Sequence, residues 1–169
     1  MMKVTDEIIC IIASLIMMTF SNQTIEIKET PVVNKEQEIM TIIIDKIALN
    51  NKIYDHNSKE NDIDKNVLLI PESDYPDKEN GTVLIGGHSG TGKKAFFAKL
   101  NEIEINDKIT LVYNNKEYVY IVDNISKDSK DGILRIDYPV RYNRLVIYTC
   151  HPNDKKSYLV INSHLDFTA

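Results

Sequence analysis

The 169-residue chain contains no tryptophan, only two cysteines and only six glycines. Two thiols, Cys10 and Cys150, cannot build a disulfide framework or a four-thiolate zinc site. The four histidines, His56, His88, His151 and His164, show no HxxxH spacing, so no metal is expected. An excess of positive charge is missing too: 20 basic side chains stand against 25 acidic ones, a net charge of −5. Nucleic-acid binders neutralise phosphates with a basic excess or stripe, so nucleic acid is not an expected partner. Hydrophobic residues are not scarce. At 43% of the chain, with nine tyrosines, they supply a folded core and exclude wholesale disorder.

Residues 8–20 (IICIIASLIMMTF) form an apolar run without a charge. It is short of the roughly 20 residues of a comfortable membrane-crossing helix but matches the core of a signal peptide or anchor. No small-x-small cleavage site follows Phe20, so retention as an anchor is expected rather than removal; the other reading is a buried N-terminal helix. Cys10 precedes most of the run, which argues against a lipoprotein. Residues 21–40 are polar, contain Pro31 and read as a linker. The expected layout is a signal anchor at 1–20, a linker at 21–40 and a folded domain at 41–169 outside the membrane.

The folded part reads as mainly β. Strands are expected at 42–49 (interrupted by Asp45-Lys46), 67–70, 82–86, 108–113, 117–122, 144–149 and 158–163. The pair at 108–113 and 117–122 flanks Asn114-Asn115, a hairpin signal. Only residues 93–100 (KKAFFAKL) predict a helix, a short one. Many short strands between turn signals point to a sandwich or barrel.

Residues 87–93 (GHSGTGK) fit the GxxxxGK skeleton of a phosphate-binding loop, which would make the chain a small nucleotide binder. That chemistry needs a Ser or Thr after the lysine to hold Mg²⁺, and Lys94 stands there. The next two strands are also joined by a two-residue turn and so are antiparallel, unlike the sheet around such a loop.

A second constellation is His88 with Cys150. Cys150 ends the apolar strand at 144–149, just before His151-Pro-Asn-Asp, where a thiol is accessible to substrate. His88 sits on a glycine-rich turn at another strand end. An imidazole near a thiol supplies both charge stabilisation and a proton. Locally, Cys150 reads equally well as a small buried hydrophobe and His88 as a surface residue. His151, His56 and His164 read as loop or surface histidines. Glu102, Glu104 and Asp107 read as a solvated turn, with a calcium site as the alternative. Tyr113, Tyr118 and Tyr120 alternate as packing residues of a hairpin face.

Together these segments resemble the sortase family of membrane-anchored cysteine transpeptidases, from about residue 41 to the C-terminus. Residues 44–54 (IDKIALNNKIY) resemble the family's opening IPKI strand, and 83–89 (VLIGGHS) its Gly-His segment. Phe96-Phe97 with Leu100, then 105–109 (INDKI), resemble the FxxL…GDxI stretch. Residues 147–150 (IYTC) resemble the end of TLxTC. The resemblance implies a closed β-barrel with one short helix, Cys150 as nucleophile and thioester carrier, and His88 as proton donor and acceptor. It also implies an LPxTG-like sorting signal as substrate, an amine of cell wall or pilin as acceptor, and no cofactor. The chain departs from the family at its third residue, an arginine early in the strand after the cysteine. No arginine follows Arg144; Ser157 best matches the position, with Tyr158 beside it as the other oxyanion or substrate-orienting candidate. Lys155, Lys156 or Arg144 could also compensate. Losing such an oxyanion donor costs roughly 10²–10³-fold in rate. The alternative function is therefore a weak or inactive barrel that binds sorting-signal or wall peptides.

Overall fold

Apolar residues at every second position commit the chain to strands with one face turned to a core. Strand β1 (Glu38–Ile44) shows this directly: Met40, Ile42 and Ile44 are buried while Ile39, Thr41 and Ile43 between them are partly exposed. The computed structural model describes residues 38–132 and 142–169, and eight strands lie within them. After β1 come β2 (Leu49–Tyr54), β3 (Leu68–Leu69), β4 (Thr82–Gly87), β5 (Lys108–Tyr113), β6 (Lys116–Ser129), β7 (Arg144–Cys150) and β8 (Ser157–Thr168).

They form one sheet in the order β2-β1-β5-β6-β8-β7-β4-β3. A bridge between Ile53 and Val67 brings the β2 edge to the segment entering β3, so the sheet curls into a nearly closed barrel. All ladders between strands are antiparallel except β4 with β7, which run parallel from Thr82↔Arg144 to Gly87↔Thr149. The barrel interior holds Ile42, Ile53, Leu69, Ile85, Ile109, Leu111, Tyr120, Leu145, Ile147 and Ile161 among others. A second cluster, Ile70, Leu84, Val146, Tyr148 and Val160, covers the outer face of β7 and its neighbours.

The expected hairpin is present. Asn114 and Asn115 take φ of 51° and 60°, the left-handed pair that a two-residue turn between strands requires. Three expectations need correction. The interruption expected at Asp45-Lys46 is present as a 3₁₀ turn, Asp45–Ile47, but β1 begins at Glu38, inside the stretch read as linker. Residues 93–100 form no α-helix, only turns leading to a 3₁₀ turn at Leu100–Glu102. Phe97 N–H donates to the His88 carbonyl at 2.9 Å, and Ala95 and Ala98 bond three residues back. Those bonds divert the backbone from an α ladder so that Phe97 and Leu100 plug the barrel. Finally, β6 runs seven residues beyond the expected Val122, paired with β8 as far as Ser129↔Ser157. The expected anchor at 8–20 lies outside the described residues. Among those described, no helix is long and apolar enough to cross a membrane.

Candidate active site

Strand parity places the two candidate catalytic side chains. Along β7, Leu145 and Ile147 enter the barrel core while Val146 and Tyr148 belong to the outer cluster. Thr149 is buried, and its hydroxyl donates to the Gly87 carbonyl at 2.8 Å. Cys150, one residue on, therefore faces outward with Tyr148. Along β4, Val83 and Ile85 point inward, and Leu84 outward. Gly86, Gly87 and His88 follow, and the strand's parallel register with β7 ends at Gly87↔Thr149. The next residues on the two strands are His88 and Cys150. Ser89 Oγ fastens the strand ends together by donating to the Cys150 carbonyl at 2.7 Å.

Both side chains line one groove of about 440 Å³ on the outer face. Its other walls are Ile63, Leu68 and Ile70, the backbone of Gly86 and Gly87, Tyr148 and Tyr158, and Gly132. Tyr148 and Tyr158 meet edge to face at 6.3 Å. The result is an apolar trough with a half-buried thiol and an imidazole in its lining. His88 Nε2 lies 3.2 Å from Asp64 Oδ1, which also meets Lys94 Nζ at 3.3 Å. Hydrogen bonds from Lys94 first, and from His88 second, hold the Asp64 carboxyl below its usual range. Asp64 thus presents a negative charge to the imidazole.

The two candidates for the third role are separated by parity. Tyr158 pairs with Cys150 across the β7–β8 rung, so both project to the same face. Ser157 is turned the other way: it is buried, and its hydroxyl donates to Asp154 Oδ2 at 2.9 Å. It lines no part of the groove. Asp154 shapes the turn after Cys150. Its carboxylate meets Lys127 and accepts from Lys156 N at 2.9 Å and from Ser157 Oγ. These contacts, Lys127 foremost, hold its carboxyl well below the usual carboxylate range.

Arg144 starts β7, six residues before Cys150, and is buried against Asn162, its Nη2 3.3 Å from Oδ1. That places it roughly 20 Å along the strand from the thiol. Lys155 and Lys156 are exposed on the turn. The cation that does reach the sulfur is one that sequence reasoning missed. Lys130 Nζ lies 3.0 Å from Cys150 Sγ and 5.1 Å from the centre of the Tyr158 ring. His151 sits in the turn, its Nδ1 accepting from Asn153 N at 3.2 Å. His164 bonds Asp123, and His56 packs on Tyr75. Glu104 and Asp107 both bind Lys46 Nζ, at 2.6 and 2.8 Å. Among the described residues no cluster of His, Cys, Asp and Glu is arranged to hold a metal ion.

Residues 42–166 match the Sortase domain family, which is about three quarters of the chain. The chain belongs to the sortase family. Its barrel is similar to solved sortases, all at identities that speak to fold alone. Sortase A from Corynebacterium diphtheriae superposes with a TM-score of 0.69 at 19% identity, covering 78% of this chain and 62% of that one. The sortase D5 transpeptidase of Clostridium perfringens gives 0.66 at 21% identity, covering 78% and 80%. Sortase C of Streptococcus pneumoniae gives 0.69 at 20% identity, covering 81% and 70%. The chain thus spans less than two thirds of the Corynebacterium protein's length. No curated protein matches it.

Proposed function

We propose that this sortase is a cysteine transpeptidase that cleaves an LPxTG-like sorting signal and transfers the acyl part to an amine. The observation that carries the reading is the convergence of Cys150 and His88 on one apolar outer-face groove. An extended peptide fits such a trough with its apolar side chains against Ile63, Leu68, Ile70 and Tyr148, leaving its backbone carbonyl to the thiol.

The Cys150 thiolate attacks the carbonyl carbon of the threonine-like residue. The S–C bond forms as the C=O π pair moves onto oxygen. Collapse of that tetrahedral intermediate restores the carbonyl and breaks the C–N bond, the departing amine taking its proton from His88. The thioester on Cys150 is then attacked by a second amine, which loses a proton to His88 as the C–S bond breaks. The acceptor is an amine of cell-wall peptide or of a pilin lysine; the Streptococcus pneumoniae relative is described in terms of pilin substrate specificity. Anchoring by residues 8–20 keeps the enzyme beside a substrate that its own hydrophobic tail holds at the membrane. The chemistry requires no cofactor.

The test is intact-mass spectrometry of the full-length protein in detergent with LPxTG-like peptides, wild type beside Cys150→Ala. A wild-type adduct equal to the peptide's N-terminal part, released by hydroxylamine and absent from the variant, is expected. Peptide binding without any adduct would replace the enzyme with a peptide-binding barrel.

A further inference from the structure

A thiol that attacks a carbonyl must bear negative charge, and the oxygen of the tetrahedral intermediate must bear it next. Both charges appear within a bond or two of Sγ. The family's arginine is missing from the strand after Cys150, yet a cation stands at the sulfur. Lys130 follows the last residue of β6, and three features fix its place. Its backbone N–H donates to the Lys156 carbonyl at 2.9 Å, extending the β6–β8 ladder past Ser129↔Ser157. Its side chain crosses the Tyr158 ring, and its ammonium ends 3.0 Å from Cys150 Sγ. Tyr158 is itself set beside Cys150 by their shared rung.

We propose that Lys130 is a catalytic residue of this site, supplying from β6 the positive charge that relatives place on the strand after the cysteine. The inference rests on the transpeptidase reading. The ammonium first pairs with the thiolate. It carries three N–H donors, so as the S–C bond forms another of them turns to the carbonyl oxygen, where the electron pair is arriving. The charge it faces moves by only a bond or two, and the ammonium remains protonated throughout. Tyr158 serves as the platform, its ring face holding the ammonium by cation–π attraction.

The test uses the full chain carrying Cys10→Ser, so that Cys150 is its only thiol. Lys130→Met keeps the length and the packing on Tyr158 but removes the charge; Lys130→Arg restores a cation. Alkylation of Cys150 by neutral iodoacetamide at pH 7 needs no peptide. Removing the cation 3.0 Å from the sulfur takes away a charge that favours its attack on iodoacetamide. A less stabilised sulfur anion is also intrinsically more nucleophilic, so the net effect on the rate is modest. Lys130→Met is therefore alkylated about threefold more slowly, with Lys130→Arg close to wild type. In acyl transfer, Lys130→Met loses about 10²–10³-fold in kcat with KM little changed, and Lys130→Arg recovers most of it.

Equal alkylation rates for wild type and Lys130→Met overturn the proposal, as does a variant whose defect lies in KM alone. A wild type that never acylates overturns the transpeptidase reading instead. The alkylation rates still decide in that case whether Lys130 and Cys150 form a charge pair.

Discussion

Gly86 and Gly87 are neighbours on β4, yet a methyl group added to each meets different surroundings. At Gly87 a Cβ would lie 2.6 Å and 2.8 Å from two ring carbons of Phe97 and 3.2 Å from a third. Carbon atoms settle at roughly 3.5–4.0 Å, so the ring must retreat by about 1 Å. Phe97 is 1% exposed and packed in the barrel core, and its N–H holds the His88 carbonyl. Overpacking of this kind costs about 1–3 kcal/mol, against a gain of roughly 0.5–1 kcal/mol from replacing a strand glycine. Gly87→Ala should therefore destabilise by about 1–2 kcal/mol. It should also slow acyl transfer, because Phe97 pulls His88 with it.

At Gly86 the atoms nearest the added Cβ are side-chain atoms of Ile70 and Leu68, at 3.8–3.9 Å. Gly86→Ala keeps the backbone gain without the clash, and fills part of the groove instead. The two variants should differ by about 2 kcal/mol, on the order of 1 M in urea midpoint. Gly86→Ala should raise KM for peptide while leaving stability equal or slightly improved. Urea unfolding followed by tyrosine fluorescence, with peptide kinetics alongside, measures both. Midpoints within about 0.3 M of each other would refute the assignment of the two glycines to opposite faces. A Gly87→Ala, Phe97→Leu double variant more stable than additivity allows would confirm that the ring is the obstacle.

Two further predictions concern the turn after Cys150 and the origin of the cation. The Asp154 carboxyl lies below its usual range when folded, so its stabilisation is complete above the ordinary aspartate range and is lost as pH falls through the depressed value. The gap in unfolding midpoint between wild type and Asp154→Asn should be constant from neutrality to about pH 4 and narrow below it; narrowing already between pH 7 and 5 would contradict this. Added to Lys130→Met, Tyr158→Arg should restore part of the acyl-transfer rate and Ser157→Arg should not, because position 158 faces the thiol and 157 is turned away from it. Equal rescue by both would refute the parity argument.

The legible parts of the molecule were those whose signals are local. Lys108–Tyr113 was readable to the residue because β-branched and aromatic side chains abut an Asn-Asn turn. The helix expected at 93–100 failed because Phe97 and Leu100 are apolar for the sake of the barrel interior, and apolar spacing alone does not say what it packs against. β7 is buried on both faces through Thr149, so its sequence does not show which side chains point outward. That Cys150 lies on the groove side follows from the ladders to β4 and β8, which join residues far apart in the chain.

Lys130 was hidden for a related reason. The second half of β6 (residues 123–129, DNISKDS) is polar and poor in β-formers, so a strand was expected to stop at Val122. It continues because β8 offers it a long antiparallel partner, and backbone pairing outweighs weak propensity. Once β6 reaches Ser129↔Ser157, the residue after it arrives beside the β7–β8 rung that holds Cys150 and Tyr158. A catalytic charge is defined by where its nitrogen ends, not by the strand that carries it. A tyrosine facing the thiol from β8 leaves room for an ammonium from β6 and gives it a ring to rest on. The absence of arginine after Cys150 and the length of β6 are then two sides of one arrangement.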